Sequence, residues 1–210
     1  MTGLSGLVRR SVLIAGLGIF SFTSAQPAAS GPDAEAFTQN LIDQGIAILR
    51  DTADPARRTK FRAFILQYAD VQKTALFTLG NYRRTASETE VSDFVKAFQE
   101  FATATYESRL AQYKDQSLRV TGSIDNRPGD VTVNTIVVDR SAREPLRIAF
   151  RLLGGNSAYK FVDVQVEGIW LSVEQKEQFG AFLSQNSGKV PRLTADLNAR
   201  AQRILAGMPR

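Results

Sequence analysis

Histidine and cysteine are both absent from the 210 residues of this chain. Their absence removes the usual zinc ligands, the imidazole base of a Ser-His-Asp triad, every thiolate nucleophile, and the one side chain that titrates near neutrality when unperturbed. No disulfide can form, so stability has to come from packing across a full-sized core, which a chain of this length can build as one domain or one domain with a helical annex. Extended low-complexity tracts and internal repeats are also missing, as expected of an ordinary globular body. The formal charge of +5 comes from lysines and arginines spread along the chain, with no basic block, so no nucleic-acid partner is expected.

Long apolar runs are scarce too. The run from Ser11 to Phe22 is well short of the ~20 residues that a membrane-spanning helix needs, and no later stretch could span a bilayer. Arg9 and Arg10 precede it, and the small residues Thr23 to Ala25 follow, before "QPAASGP". This pattern reads as a secretory signal peptide over residues 1–25 and a linker over 26–32, with the body of the protein over 33–210; a membrane anchor is the alternative. Removing the first 25 residues leaves 24 basic against 21 acidic side chains, a net charge of +3. A periplasmic location is the simplest expectation.

The body divides into helices, then strands, then helices. Asp33 to Arg50 carries Phe37, Leu41, Ile48 and Leu49 at helical spacing, and Asp54 and Pro55 can open a second helix through about Ala69. Asp70 caps a short helix that Gly80 ends. Ser87 and Glu90 form an S-x-x-E capping box ahead of a long helix with the stripe Val91, Phe94, Val95, Phe98, Phe101, Thr105 and Leu110. After Tyr113 the period changes to two, over Ser117–Ile124, Asp130–Arg140, Pro145–Leu153 and Tyr159–Trp170, and the short connections imply an antiparallel meander of four strands. In the last strand Val162, Val164 and Val166 point one way, and Asp163, Gln165 and Glu167 the other. Leu146, Ile148, Phe150 and Leu152 share a face, as do Val131, Val133 and Val137. Ser172 with Gln175 caps a helix to about Asn186, Gly188 stops it, and a final amphipathic helix runs from about Pro191 to Leu205.

Little in these elements suggests catalysis. Asp163 and Glu167 on one strand face would stand about 13 Å apart, beyond the roughly 5–9.5 Å of either glycosidase geometry. "LGNYRR" and "LLGGNS" match neither a P-loop nor a dinucleotide fingerprint. Ser172 and Lys176 have the i, i+4 spacing of a Ser-Lys dyad, but Ser172 is already assigned to a cap. No enzyme, cofactor or metal is expected. An apolar sheet face and aromatic helix stripes remain, and composition alone does not say whether they meet tightly or around a cavity.

The order of these segments is similar to one family. "FRAFILQYADVQKTALFTLGNYR", "FVKAFQEFATATYESRLAQY", "VTVNT" and "YKFVDVQVEGI" followed by "EQFGAFL" resemble the MlaC, or toluene-tolerance, family of periplasmic phospholipid-binding proteins, from about Phe37 to Leu205. Leu79, Gly80 and Tyr82 occupy the position of its "LGxxW/Y", with Tyr82 one residue nearer the glycine, Thr105 and Tyr106 that of its "TY", and Asp163, Glu167 and Gly168 that of its "DVxxEG". Two places depart: Tyr68, Ala69 and Asp70 stand where "YFD" is common, and Trp170 stands where "EGVS" or "EGIS" ends in serine, so that an indole could narrow or redirect the site.

The resemblance implies an α+β fold, a curved antiparallel four-stranded sheet packed with helices like the nuclear transport factor fold, joined to a helical subdomain. It implies a carrier that encloses acyl chains and shuttles lipid between an outer-membrane lipoprotein complex and the inner-membrane ring protein of an ABC transporter, within a lipid-asymmetry system. The ligand would be a phospholipid, or a hopanoid as in one branch of the family. Candidate cavity residues are Leu79, Tyr82, Phe98, Phe101, Tyr106, Val133, Val137, Ile148, Phe150, Val164, Val166 and Ile169, with Arg83, Arg84, Arg147 or Lys160 as candidates to meet a lipid phosphate. A periplasmic scaffold with a filled interior and a hydrolase using Asp or Ser are the rival readings.

Overall fold

A computed structural model describes residues 31–110, 117–138, 144–155 and 158–207. The expected signal peptide and residues 26–30 of the linker lie outside them, as do parts of the "SAREP" and "GGNS" turns. Helices α1 (Gly31–Arg50), α2 (Arg57–Tyr68), α3 (Val71–Leu79) and α4 (Glu88–Leu110) precede strands β1 (Ser117–Arg127), β2 (Asp130–Val138), β3 (Leu146–Gly155), β4 (Ala158–Val166) and β5 (Ile169–Trp170), and α5 (Leu171–Gln185) and α6 (Val190–Gly207) close the chain. The fold is mixed, with the expected antiparallel meander in the order β1-β2-β3-β4-β5.

Several helix ends follow directly from local chemistry. The Asp70 carboxylate accepts from the Lys73 N–H at 3.0 Å, and Gly80 ends α3 with φ +59, an angle that costs a side chain but not glycine. Glu90 accepts from the Ser87 N–H at 2.8 Å while Ser87 Oγ accepts from the Glu90 N–H at 3.2 Å, the reciprocal bonds of a capping box. Two caps differ from expectation. Asp54 accepts from the Ala56 N–H at 2.8 Å, a local turn that delays α2 to Arg57. Ser172 does not pair with Gln175; its N–H and hydroxyl both donate to Asp163 on β4, because an ionised carboxylate is the stronger acceptor and suits the positive end of α5.

The sheet corrects the reading in one further way. The stretch from Tyr159 to Trp170 is not one strand. Glu167 and Gly168 take φ +47 and +86 and turn the chain back, so that Val166 pairs with Ile169 and Gln165 with Trp170 in a two-residue hairpin. This makes a fifth strand and removes Glu167 from the face of Asp163. Upstream, a bulge between Phe161 and Asp163 leaves Val162 without a partner in the ladder. One extra residue reverses the alternation. Tyr159 and Phe161, not Val162, therefore share a face with Val164 and Val166, opposite Leu152, Phe150 and Ile148 of β3, which in turn face Val131, Val133 and Thr135 of β2.

Helix α1 covers one end of that inner face. Gln39 clasps β1 through both ends of its amide, accepting from the Val120 N–H at 3.0 Å and donating to the Leu118 carbonyl at 3.3 Å. A Cβ on Gly31 would lie 2.7 Å from Ser123 Oγ, so glycine lets the start of α1 approach the sheet. Ala34, Val131, Val133, Leu152 and Tyr159 form the resulting core, with Phe37, Val120, Phe150 and Phe161 packed against it. A second core joins α3, α4, α5 and α6 through Leu79, Phe94, Phe98, Phe179, Leu183, Leu193 and Leu197. The two share no residue.

Candidate lipid-binding site

The twelve candidate residues divide among these regions. Leu79 and Phe98 lie in the helical core, with Tyr82 and Phe101 packed on it. Val133 lies in the sheet core with Phe150 against it. Val137 is buried near the end of the same face, and Ile148, Val164 and Val166 are half-buried on it, in register as Ile148 with Val166 and Phe150 with Val164. None of these last four belongs to either core. Ile169 stands apart at the tip of the β4–β5 hairpin, 59% exposed.

Tyr106 on α4 lies within reach of the charge of Asp163. Burial, and secondarily the charge of Asp163, push its phenol up to about 12, so it stays neutral. Asp163 is committed to the start of α5, and Lys176 places its ammonium 4.9 Å from the centre of the Phe77 ring, a cation-π contact. The Ser172 hydroxyl donates to Asp163. Ser172 and Lys176 thus have separate structural partners, and no nucleophile–base pair arises from them. Of the basic candidates, Arg147 pairs with Glu167, which accepts from both its backbone N–H at 2.6 Å and its guanidinium at 3.2 Å, and Lys160 donates to the Gln67 carbonyl. Arg83 and Arg84 are exposed.

Aromatic residues outside the twelve connect the inner face to the surface. Phe150 meets Phe161 at 5.3 Å between ring centres, Phe161 meets Phe37 at 6.2 Å, and Phe37 meets Tyr68 at 6.3 Å. Phe37 and Tyr68 then line a concavity of about 320 Å³ with Asp33, Asn40, Leu41 and Gln44, at the lower end of the ~300–1,000 Å³ range of small-molecule sites. None of the twelve lines it. The i, i+3, i+7 spacing of Phe61, Phe64 and Tyr68 signals an aromatic stripe on α2, but the contribution of Phe161 depends on the bulge and is invisible to simple alternation.

An antiparallel sheet with an apolar inner face, covered at one end by α1 and flanked by a separate helical core, defines a mixed α+β class of fold. Residues 39–199 match the family model described as MlaC protein, and the chain belongs to that family. Among solved structures it is similar to a phospholipid-binding protein from Ralstonia solanacearum determined in complex with a phospholipid, with a TM-score of 0.67 at 23% identity, covering 82% of this chain and 99% of that one. The likeness is one of fold.

Proposed function

We propose that this protein is a periplasmic lipid carrier that sheathes the acyl chains of a phospholipid between the inner face of its sheet and the helices, and passes the lipid between membrane complexes without chemically altering it. The observation that carries the reading is the apolar patch of Ile148, Val164 and Val166, half-buried and outside both packed cores. Family membership and the fold shared with a phospholipid-bound protein support it. The leader-like segment over residues 1–25 supports a periplasmic address.

Energetics set what such a carrier must do. A chain of about sixteen carbons loses roughly 12 kcal/mol if its methylenes enter water at about 0.8 kcal/mol each, and two chains lose about twice that. Release into water is therefore too slow, and cargo must be exchanged at a membrane partner. An outer-membrane lipoprotein complex and the ring protein of an inner-membrane ABC transporter are the partners that family membership suggests. Such burial calls for apolar side chains like Ile148, Val164 and Val166, and for no metal, base or nucleophile.

The test is to export the full chain in a Gram-negative host, purify it, extract it with organic solvent and identify the lipid by mass spectrometry. Phospholipid is expected, and Val164→Asp is expected to abolish its recovery, because a charge on the inner face opposes hydrocarbon. A hopanoid would change the cargo. An empty protein would favour a scaffold and overturn the carrier reading.

A further inference from the structure

Helix α2 is attached unlike the other helices. Four of its 12 residues are Arg or Lys, and Phe61 is its one fully buried side chain. It touches α1, α4 and β4, so it spans the side of the space between the two cores. Its aromatic residues Phe64 and Tyr68, 5.1 Å apart, lead to Phe37 and the inner face.

What joins α2 to α4 is largely charge. Arg62 forms a two-pronged pair with Glu100, and Arg58 lies 3.2 Å from Glu107. Glu100, Thr103 and Glu107 are spaced i, i+3, i+7 and form one stripe along α4. The partners run in opposite order on α2, so the helices are antiparallel there and the pairs flank Phe61. Arg62 and Glu100 are each about two-fifths exposed, where water weakens a pair. Glu107 and Thr103 are buried; Glu107 Oε1 meets Arg58 as an ion pair without hydrogen-bond geometry, and Thr103 Oγ1 has no hydrogen-bond partner among the described residues. Lifting α2 would hydrate both, which offsets the loss of Arg58. Phe61 alone would lose a deep apolar site.

Both ends of α2 suit a hinge. The Asp51–Ala56 turn precedes it, and Ala69 follows in extended conformation, φ −98 and ψ +139. Ala69 bridges Phe161, and the Asp70 N–H donates to the Phe161 carbonyl at 2.7 Å, so the pivot is anchored at the bulge of β4.

We infer that α2 is a lid over the lipid space, latched to α4 by the Arg62–Glu100 and Arg58–Glu107 pairs and pivoting about Ala69. The inference rests on the carrier reading and adds how cargo enters and leaves. The latch is loose by construction, since a lid held by a full apolar core could not open at the rate that exchange requires.

The test measures transfer of a self-quenching fluorescent phospholipid between the full-length exported protein and vesicles of phosphatidylethanolamine and phosphatidylglycerol. Arg62→Glu and Glu100→Arg are each expected to raise the transfer rate about fivefold, and the double reversal to return it toward wild type. As the chain has no cysteine, Arg62→Cys with Glu100→Cys can be joined by a short bifunctional thiol reagent. The joined protein is expected to retain bound lipid and exchange it at least tenfold more slowly than the same variant before joining. Equal exchange before and after joining, in a protein whose wild type carries lipid, overturns the lid alone. A wild type that takes up no lipid overturns the carrier reading and the lid with it.

Discussion

At the scale of single residues, two aspartates of the sheet are committed to neighbouring side chains and elements. Asp163 holds the start of α5 through Ser172. Asp130, buried in the outer face of the sheet, takes two bonds from Arg151 at 2.9 and 2.7 Å and one from Asn126 at 3.2 Å, and Arg127 lies 3.2 Å away; the Arg151 bonds, first among these, hold its carboxyl below the usual range. Tyr106 makes a sharper test. Its folded pKa of about 12 exceeds the ordinary 10.0, so the neutral phenol's contribution to stability is complete below about 10 and is lost as pH rises toward 12. Alkaline denaturant titrations are expected to show wild type losing more stability across that window than Tyr106→Phe. Equal losses would show that this phenol is not the desolvated group.

At the level of elements, caps and turns respond to single changes. Asp70→Ala removes the acceptor of the Lys73 N–H and is expected to cost about 1 kcal/mol, a fall in Tm of roughly 2–4 °C by circular dichroism. Gly168→Ala forces a side chain into φ +86 and is expected to cost about 1–2 kcal/mol in the same measurement. These features were legible in the sequence to different degrees. The Ser87–Glu90 box, the Asp70 cap and the Gly80 stop were plain because their partners lie within three or four residues. The α5 cap is not legible locally, because its carboxylate comes from a neighbouring strand, nine residues back. The fifth strand is hidden from periodicity because Glu167, a residue with no preference for positive φ, occupies the first turn position.

For the whole molecule, two separate cores carry different duties. Phe179 meets Phe94 at 6.1 Å and Phe98 at 6.3 Å, edge to face, and ties α5 to α4. Phe179→Ala is expected to lower stability by about 3–5 kcal/mol in chemical denaturation, whereas Val164→Asp is expected to lose lipid at much smaller cost in stability, because Val164 is half-buried and outside both cores. Comparable unfolding losses for the two variants would mean that the inner face is packed core after all.

The sequence by itself determined that no histidine or cysteine is available, where most helices begin and end, the antiparallel meander, and the family to which the chain belongs, since each follows from composition, local bonds or the order of motifs. Only the tertiary structure decided that Phe161 joins the inner face, that Asp163 serves α5, and that ion pairs link α2 to α4. Those outcomes depend on contacts between different elements, 9 residues apart for Asp163 and Ser172 and 38 for Arg62 and Glu100, and neither periodicity nor local capping carries information from one element to another.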